Sequence, residues 1–144
     1  IWKGSVGGNA TFLLNVPPNR DGVLADADVD VLAQLGEKIT DFSSRRIEAS
    51  REDDGDVVTL TFNAPHALGA IVLEEDISQG QRIDEAVVTA CVDGDGEQEI
   101  ARVHCVGYRR IVTLEKPVTA TQVRVTVTKS RQGFYLADAY AVRA

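Results

Sequence analysis

From Val57 to the last residue the chain alternates short β-patterned runs with turn signals, and this rhythm restricts the fold more than any other feature. Val58, Leu60 and Phe62 alternate with Thr59 and Thr61, and Val123, Val125 and Val127 alternate with Arg124, Thr126 and Thr128. A period of two puts one set of side chains on each face of a strand. Further strands are expected at residues 70–75, 83–92, 99–103, 109–114 and 135–142. Turns are expected at Asn63-Ala64-Pro65, Ser78-Gln79-Gly80, Asp93-Gly94-Asp95-Gly96, Glu115-Lys116-Pro117 and Gln132-Gly133. About eight antiparallel strands at this spacing imply a mainly β fold, an antiparallel β-sandwich of jelly-roll type.

Upstream of residue 57 the pattern is different. Residues 11–16 supply an aromatic, two leucines and a valine, which suits a short strand covered on both faces. Pro17 and Pro18 cannot donate to a ladder, and Asp21-Gly22 is a turn pair, so the chain should leave the sheet there. Residues 26–40 read as a helix, with Asp26 as N-cap and Val29, Leu32, Leu35 and Ile39 at helical spacing. Asp26, Asp28 and Asp30 with Glu37 imitate a calcium loop, but Val31 stands where such a loop needs glycine, so helix is expected instead. Residues 40–56 are polar and charged, a linker with a short strand at 47–50. A boundary near 41–46 divides the chain into residues 1–42 (strand, Pro-Pro turn, helix) and 43–144 (the sandwich).

Composition limits the function. The 144 residues suffice for one core but not for a (β/α)8 barrel of about 250 residues. A net charge of −7 is the wrong sign for nucleic acid, and no apolar run approaches the roughly 20 residues of a membrane span. There is no methionine and residue 1 is isoleucine, which suggests a piece of something longer. Cys91 and Cys105 lack the spacing of a zinc site. A hairpin turning at residues 93–97 would set Cys91 opposite about position 99, too far from Cys105 for a disulfide.

The residues that suggest chemistry also have structural readings. Glu74 and Asp76 would point the same way from one strand, whereas a glycosidase pair must flank the scissile bond. Glu74, Glu75 and Asp76 are therefore expected to neutralise Arg82, Arg109 or Arg110. His66 and His104 stand alone, with no nucleophile elbow nearby. Asp93-Gly94-Asp95-Gly96 has oxygen ligands for a cation but reads better as a hairpin turn. Trp2, Tyr108, Phe134, Tyr135 and Tyr140 are the residues from which a sugar-stacking platform could be drawn.

Gly7-Gly8-Asn9-Ala10, then Phe12-Leu13-Leu14-Asn15-Val16-Pro17-Pro18-Asn19-Arg20-Asp21-Gly22, resembles the last barrel strand of the α-L-fucosidases of glycoside hydrolase family 29. The resemblance continues through residues 24–29, and again through residues 73–83 and Val106-Gly107-Tyr108-Arg109-Arg110-Ile111, which look like that family's appended galactose-binding-like sandwich. It implies a retaining enzyme that removes terminal fucose, with an aspartate nucleophile and a carboxylic acid/base. The Pro-Pro form looks more like the branch acting on α-1,3 and α-1,4 linkages. Both catalytic carboxylates of the family precede its last barrel strand, so none is expected in this chain, and no cofactor or metal is implied. Asn15, at the active-site end of the resembled strand, is either a substrate contact or a cap for the Pro-Pro turn.

The implied partners are an upstream catalytic barrel of the same protein and, through it, a fucosylated glycan. The alternative is an independent carbohydrate-binding β-sandwich. Without its barrel neighbours the strand at 11–16 would expose an apolar edge, so self-association through residues 7–16 is expected unless the strand folds back. The helix is expected to dock on the sandwich through Val29, Leu32, Leu35 and Ile39, leaving the strand as the less secure element.

Overall fold

A computed structural model describes residues 1–92 and 96–144. Among these, two helices precede six strands: α1 (Trp2–Ser5), α2 (Asp26–Ser44), β1 (Ser50–Asp54), β2 (Val57–Glu75), β3 (Ile83–Val92), β4 (Gly96–His104), β5 (Arg110–Ser130) and β6 (Leu136–Arg143). The strands join in the order β1-β2-β5-β3-β4, with β6 also on β2, and every pairing is antiparallel.

Six strands stand where about eight were expected because β2 and β5 run straight through two expected turns. Asn63-Ala64-Pro65 falls where the β2–β5 register breaks between Thr61 and His66, and Glu115-Lys116-Pro117 falls where it breaks again between Leu68 and Ala70. A proline removes one ladder donor, which a bulge tolerates, so each strand bends instead of reversing. The bends let one pair of strands serve both layers of the sandwich. The first half of β2 pairs with β1 and the end of β5, and its second half with β6 and the start of β5. The Asp93-Gly94-Asp95 turn lies outside the described residues.

The period-two pattern builds the main core. Val58 pairs with Val125, which pairs in turn with Val88, and Leu60 pairs with Val123, which pairs with Ala90. All six are buried, together with Leu68, Ile71, Leu73, Ile83, Val106 and Leu136. Along the second half of β2 the alternate residues Ala70 and Val72 are buried as well, in a smaller cluster with Phe42, Ile111 and Val142, against which Trp2 and Tyr140 pack. That half of the sheet is thus covered on both faces, on the outside by α1 and the last turn of α2.

Residues 1–44 depart from what their sequence suggests. Residues 11–16 form no strand, and Leu13 and Leu14 are 90% and 48% exposed. A strand needs a ladder partner; residues 11–16 have none, and the N-terminal segment's bridge to the sheet, from Gly8 to Arg110, lies upstream of them. The helix forms and runs on to Ser44, but its N-cap is Ala25, without a side-chain cap, and Asp26 lies in the first turn, where its charge suits the helix dipole. The apolar stripe does not dock on the sandwich as expected. Val29 is exposed, Leu32, Leu35 and Ile39 are half-buried, and only Phe42 is buried. Val31 and Leu35 instead line an open cleft of about 290 Å³ with Trp2, Phe12 and Leu14. The short strand expected at 47–50 begins at Ser50, and before it Arg46 and Ile47 pair with the outer edge of β6, the Ile47 amide donating to the Ala141 carbonyl at 2.9 Å.

Candidate functional site

The N-terminal segment meets the sandwich at Gly7-Gly8-Asn9. After the single turn of α1, the Gly7 carbonyl accepts from the Ile111 amide at 2.8 Å and the Asn9 amide donates to the Arg109 carbonyl at 3.0 Å. Gly7 is buried against Ile111, and a Cβ there would collide with that side chain. Asn9 has φ 63°, a left-handed conformation that asparagine tolerates better than most residues. Its carboxamide is fully engaged. Oδ1 accepts from the Tyr108 amide at 2.8 Å, while Nδ2 donates to Gln81 Oε1 at 3.4 Å and to Cys105 Sγ at 3.9 Å. Gly107, at φ 62°, leaves the niche for this side chain, and a Cβ at that position would occupy the carboxamide's space.

The same loops are held from below by Glu75, buried at 3% exposure. Its Oε1 accepts from the amides of Arg82 at 2.6 Å and Ile83 at 3.0 Å, and its Oε2 from the Gly107 amide at 3.0 Å. The expected carboxylate–arginine pairing is therefore only partly realised. Glu74 does pair with Arg109, at 2.6 Å. Burial works to lower the Arg109 pKa, but the hydrogen bond and charge of Glu74 outweigh it and raise the value. Asp76 caps its own turn through the Ser78 amide, which holds its carboxyl below the usual range. Arg82 donates to the Gly133 carbonyl, and Arg110 to the carbonyls of His104 and Cys105, so neither pairs with a carboxylate among the described residues. Carbonyls at strand ends and in the adjoining loops offer a guanidinium the same acceptor chemistry.

The aromatics do not assemble into a platform. Trp2 lies edge-on to Phe42, Phe134 packs on the main core, and Tyr140 lies under Arg46, whose guanidinium is 4.2 Å from the ring centroid and donates to Asp138. Burial pushes the Tyr140 hydroxyl upward. Tyr108 and Tyr135 remain exposed. Tyr108 borders a groove of about 520 Å³ with Ile77, Asn9, Thr11 and Phe12.

His66 contacts Asn63, and His104 is exposed beside Glu85. Both cysteines are free, and Cys91 sits opposite Glu97, two residues short of the expected position 99. No group of three or more metal-ligating side chains occurs among the described residues, and no helix there is long and apolar enough to cross a membrane. Asn15 is exposed on the irregular segment. The turn after the prolines is organised by Asn19, whose Oδ1 accepts from the amides of Asp21 and Val23. Asn9 is the residue that sequence reasoning did not single out, and Glu75, expected to neutralise an arginine, accepts backbone amides instead.

Fold and site together define an antiparallel β-sandwich with a leading segment pinned to its outer face. The chain is similar to α-L-fucosidases and, over less of its length, to carbohydrate-binding domains. The chain superposes over 99% of its length on 32% of a candidate α-L-fucosidase of Bacteroides thetaiotaomicron, with TM-score 0.91 and 28% identity. It matches 25% of a candidate α-L-fucosidase of Bacteroides ovatus with 99% of its own length, at TM-score 0.85 and 26% identity. A Ruminococcus gnavus fucosidase of glycoside hydrolase family 29, solved with fucose, shares the fold at TM-score 0.83 and 21% identity. Among curated proteins, α-L-fucosidase 1 of Arabidopsis thaliana is 49% identical over 37 residues, 26% of this chain and 7% of that protein. The chain thus spans between 7% and 38% of the length of the relatives it matches. Carbohydrate-binding domains of ZmpB from Clostridium perfringens share the sandwich fold over 67% of the chain at TM-score 0.52 and 18% identity. No family model matches the chain.

Proposed function

We propose that this chain is the C-terminal part of a retaining α-L-fucosidase of glycoside hydrolase family 29, non-catalytic in itself, in which residues 1–42 close the catalytic barrel and residues 43–144 form the accessory sandwich. The observation that carries this reading is coverage. The fucosidase structures account for 99% of the chain, leading segment included, whereas the carbohydrate-binding neighbour accounts for 67%. A free-standing glycan-binding module has no need of residues 1–42.

On this reading the exposed Leu13 and Leu14 take up strand pairing with an upstream barrel. Association between copies through residues 7–16 is what happens when that cover is missing. The aspartate nucleophile and the acid/base, about 5 Å apart across the fucosyl ring in a retaining site, lie upstream, and the substrate is a terminal fucose in α-1,3 or α-1,4 linkage. Asn15 touches substrate once its strand forms. The mass of the intact gene product tests the assignment, because the enzyme reading requires a barrel of about 250 residues in addition to the sandwich. A product no longer than this chain, or fucose or galactose binding by this chain alone in titration calorimetry, would favour the independent module.

A further inference from the structure

We propose that Asn9 and Gly107 form a matched latch that sets how the leading segment, and the folded part it belongs to, is seated on the sandwich. Position 9 makes two demands at once. Its backbone is at φ 63°, which glycine, asparagine and aspartate accept more readily than other residues. Its side chain must also accept from the Tyr108 amide and donate to both Gln81 and Cys105. Glycine meets the first demand only, and aspartate lacks the two donors. Asparagine alone meets both.

The receiving side is equally restricted. Gly107 leaves the space the carboxamide fills, and its amide is held by buried Glu75, so the niche is rigid. The latch reaches two of the loops at that end of the sandwich, 76–82 through Gln81 and 105–109 through Cys105 and Tyr108. Immediately after it the chain loses regular structure, so Asn9 is the last firm attachment before residues 11–16. The fucosidase reading bears on this inference only in naming what that segment belongs to.

The test compares Asn9→Asp, Asn9→Gly, Asn9→Ala and Gly107→Ala in the 144-residue chain by amide exchange. Asn9→Gly and Gly107→Ala should each speed exchange at residues 7–10, at Tyr108 and at Ile111, whose amide donates to Gly7, by about tenfold or more, with β3 and the rest of β5 unchanged. Asn9→Ala should be worse than Asn9→Gly because it adds backbone strain, and Asn9→Asp should be milder because it keeps the acceptor. Unchanged exchange in Asn9→Gly, or Asn9→Ala equal to Asn9→Asp, overturns the latch.

In the intact gene product, calorimetry should show wild type unfolding in one transition and Asn9→Gly in two; a single transition in both overturns the seating role. Absence of fucosidase activity in that wild-type product would remove the enzymatic reading and leave the exchange result standing.

Discussion

Replacing Glu75 tests whether this buried carboxylate holds backbone loops together or merely balances charge. Its two oxygens accept three amides, of Arg82, Ile83 and Gly107, at 2.6, 3.0 and 3.0 Å. Glu75→Gln keeps the shape and leaves one oxygen for the first two, but turns an NH2 group toward the Gly107 amide. One buried donor then lacks an acceptor and the remaining bonds lose their charge assistance, a cost of about 2 kcal/mol. Glu75→Ala orphans all three donors, at roughly 1–3 kcal/mol each, or about 3–7 kcal/mol in all once the part-buried Arg82 amide is given the lower figure.

For a domain of this size about 1 kcal/mol moves Tm by roughly 2–4 °C, so Glu75→Gln should melt roughly 4–8 °C lower. The control is Glu74→Gln, next along the strand. It breaks the partly solvated pair with Arg109, worth about 0–1 kcal/mol. Thermal unfolding followed by circular dichroism gives both values. Exchange at the Gly107 amide should rise in the Glu75 variants only. A Glu75→Gln chain that melts no lower than Glu74→Gln would refute the reasoning.

Phe42→Ala should cost about 3–5 kcal/mol, because Phe42 closes the outer cluster of Ala70, Val72, Ile111 and Val142. The emission of Trp2, the single tryptophan, should shift to the red as its edge contact is lost; unshifted emission would show that α1 does not depend on Phe42. Tyr140, raised by burial, contributes stability that is complete below the ordinary tyrosine pKa of about 10 and is lost as pH rises through its higher folded value. In a phenolate absorbance titration, the step removed by Tyr140→Phe should therefore lie above pH 10. A removed step at or below 10 would contradict the burial argument. Thiol titration without reductant should find two groups after denaturation, with exposed Cys91 the faster in the native chain; finding none would mean the β3–β4 register is wrong.

The strands were legible because one face of each is buried and period two follows directly from that. Val58, Leu60, Phe62 and Val123, Val125, Val127 needed nothing more. Pro65 and Pro117 misled because proline marks the loss of a ladder donor without saying whether the chain reverses or only bends. Residues 11–16 misled for a different reason. Their composition suits a doubly covered strand, but strand formation depends on neighbours that a single segment does not encode. Glu75 was within reach. If Glu74 and Asp76 share one face of a strand, Glu75 faces the other, toward the core, where a carboxylate must find donors. The Asn9 latch was not legible, since its partner amide on Tyr108 is 99 residues away. The only local hints were the glycines at 7, 8 and 107.

Hydrolysis of an aryl α-L-fucoside, measured side by side for the intact gene product and for the 144-residue chain, tests the central claim most directly. The account predicts turnover by the intact product, with retention of configuration, and none by the chain alone. Turnover by the isolated chain, abolished by replacing one of its own carboxylates, would contradict it, as would an intact product that leaves the fucoside untouched.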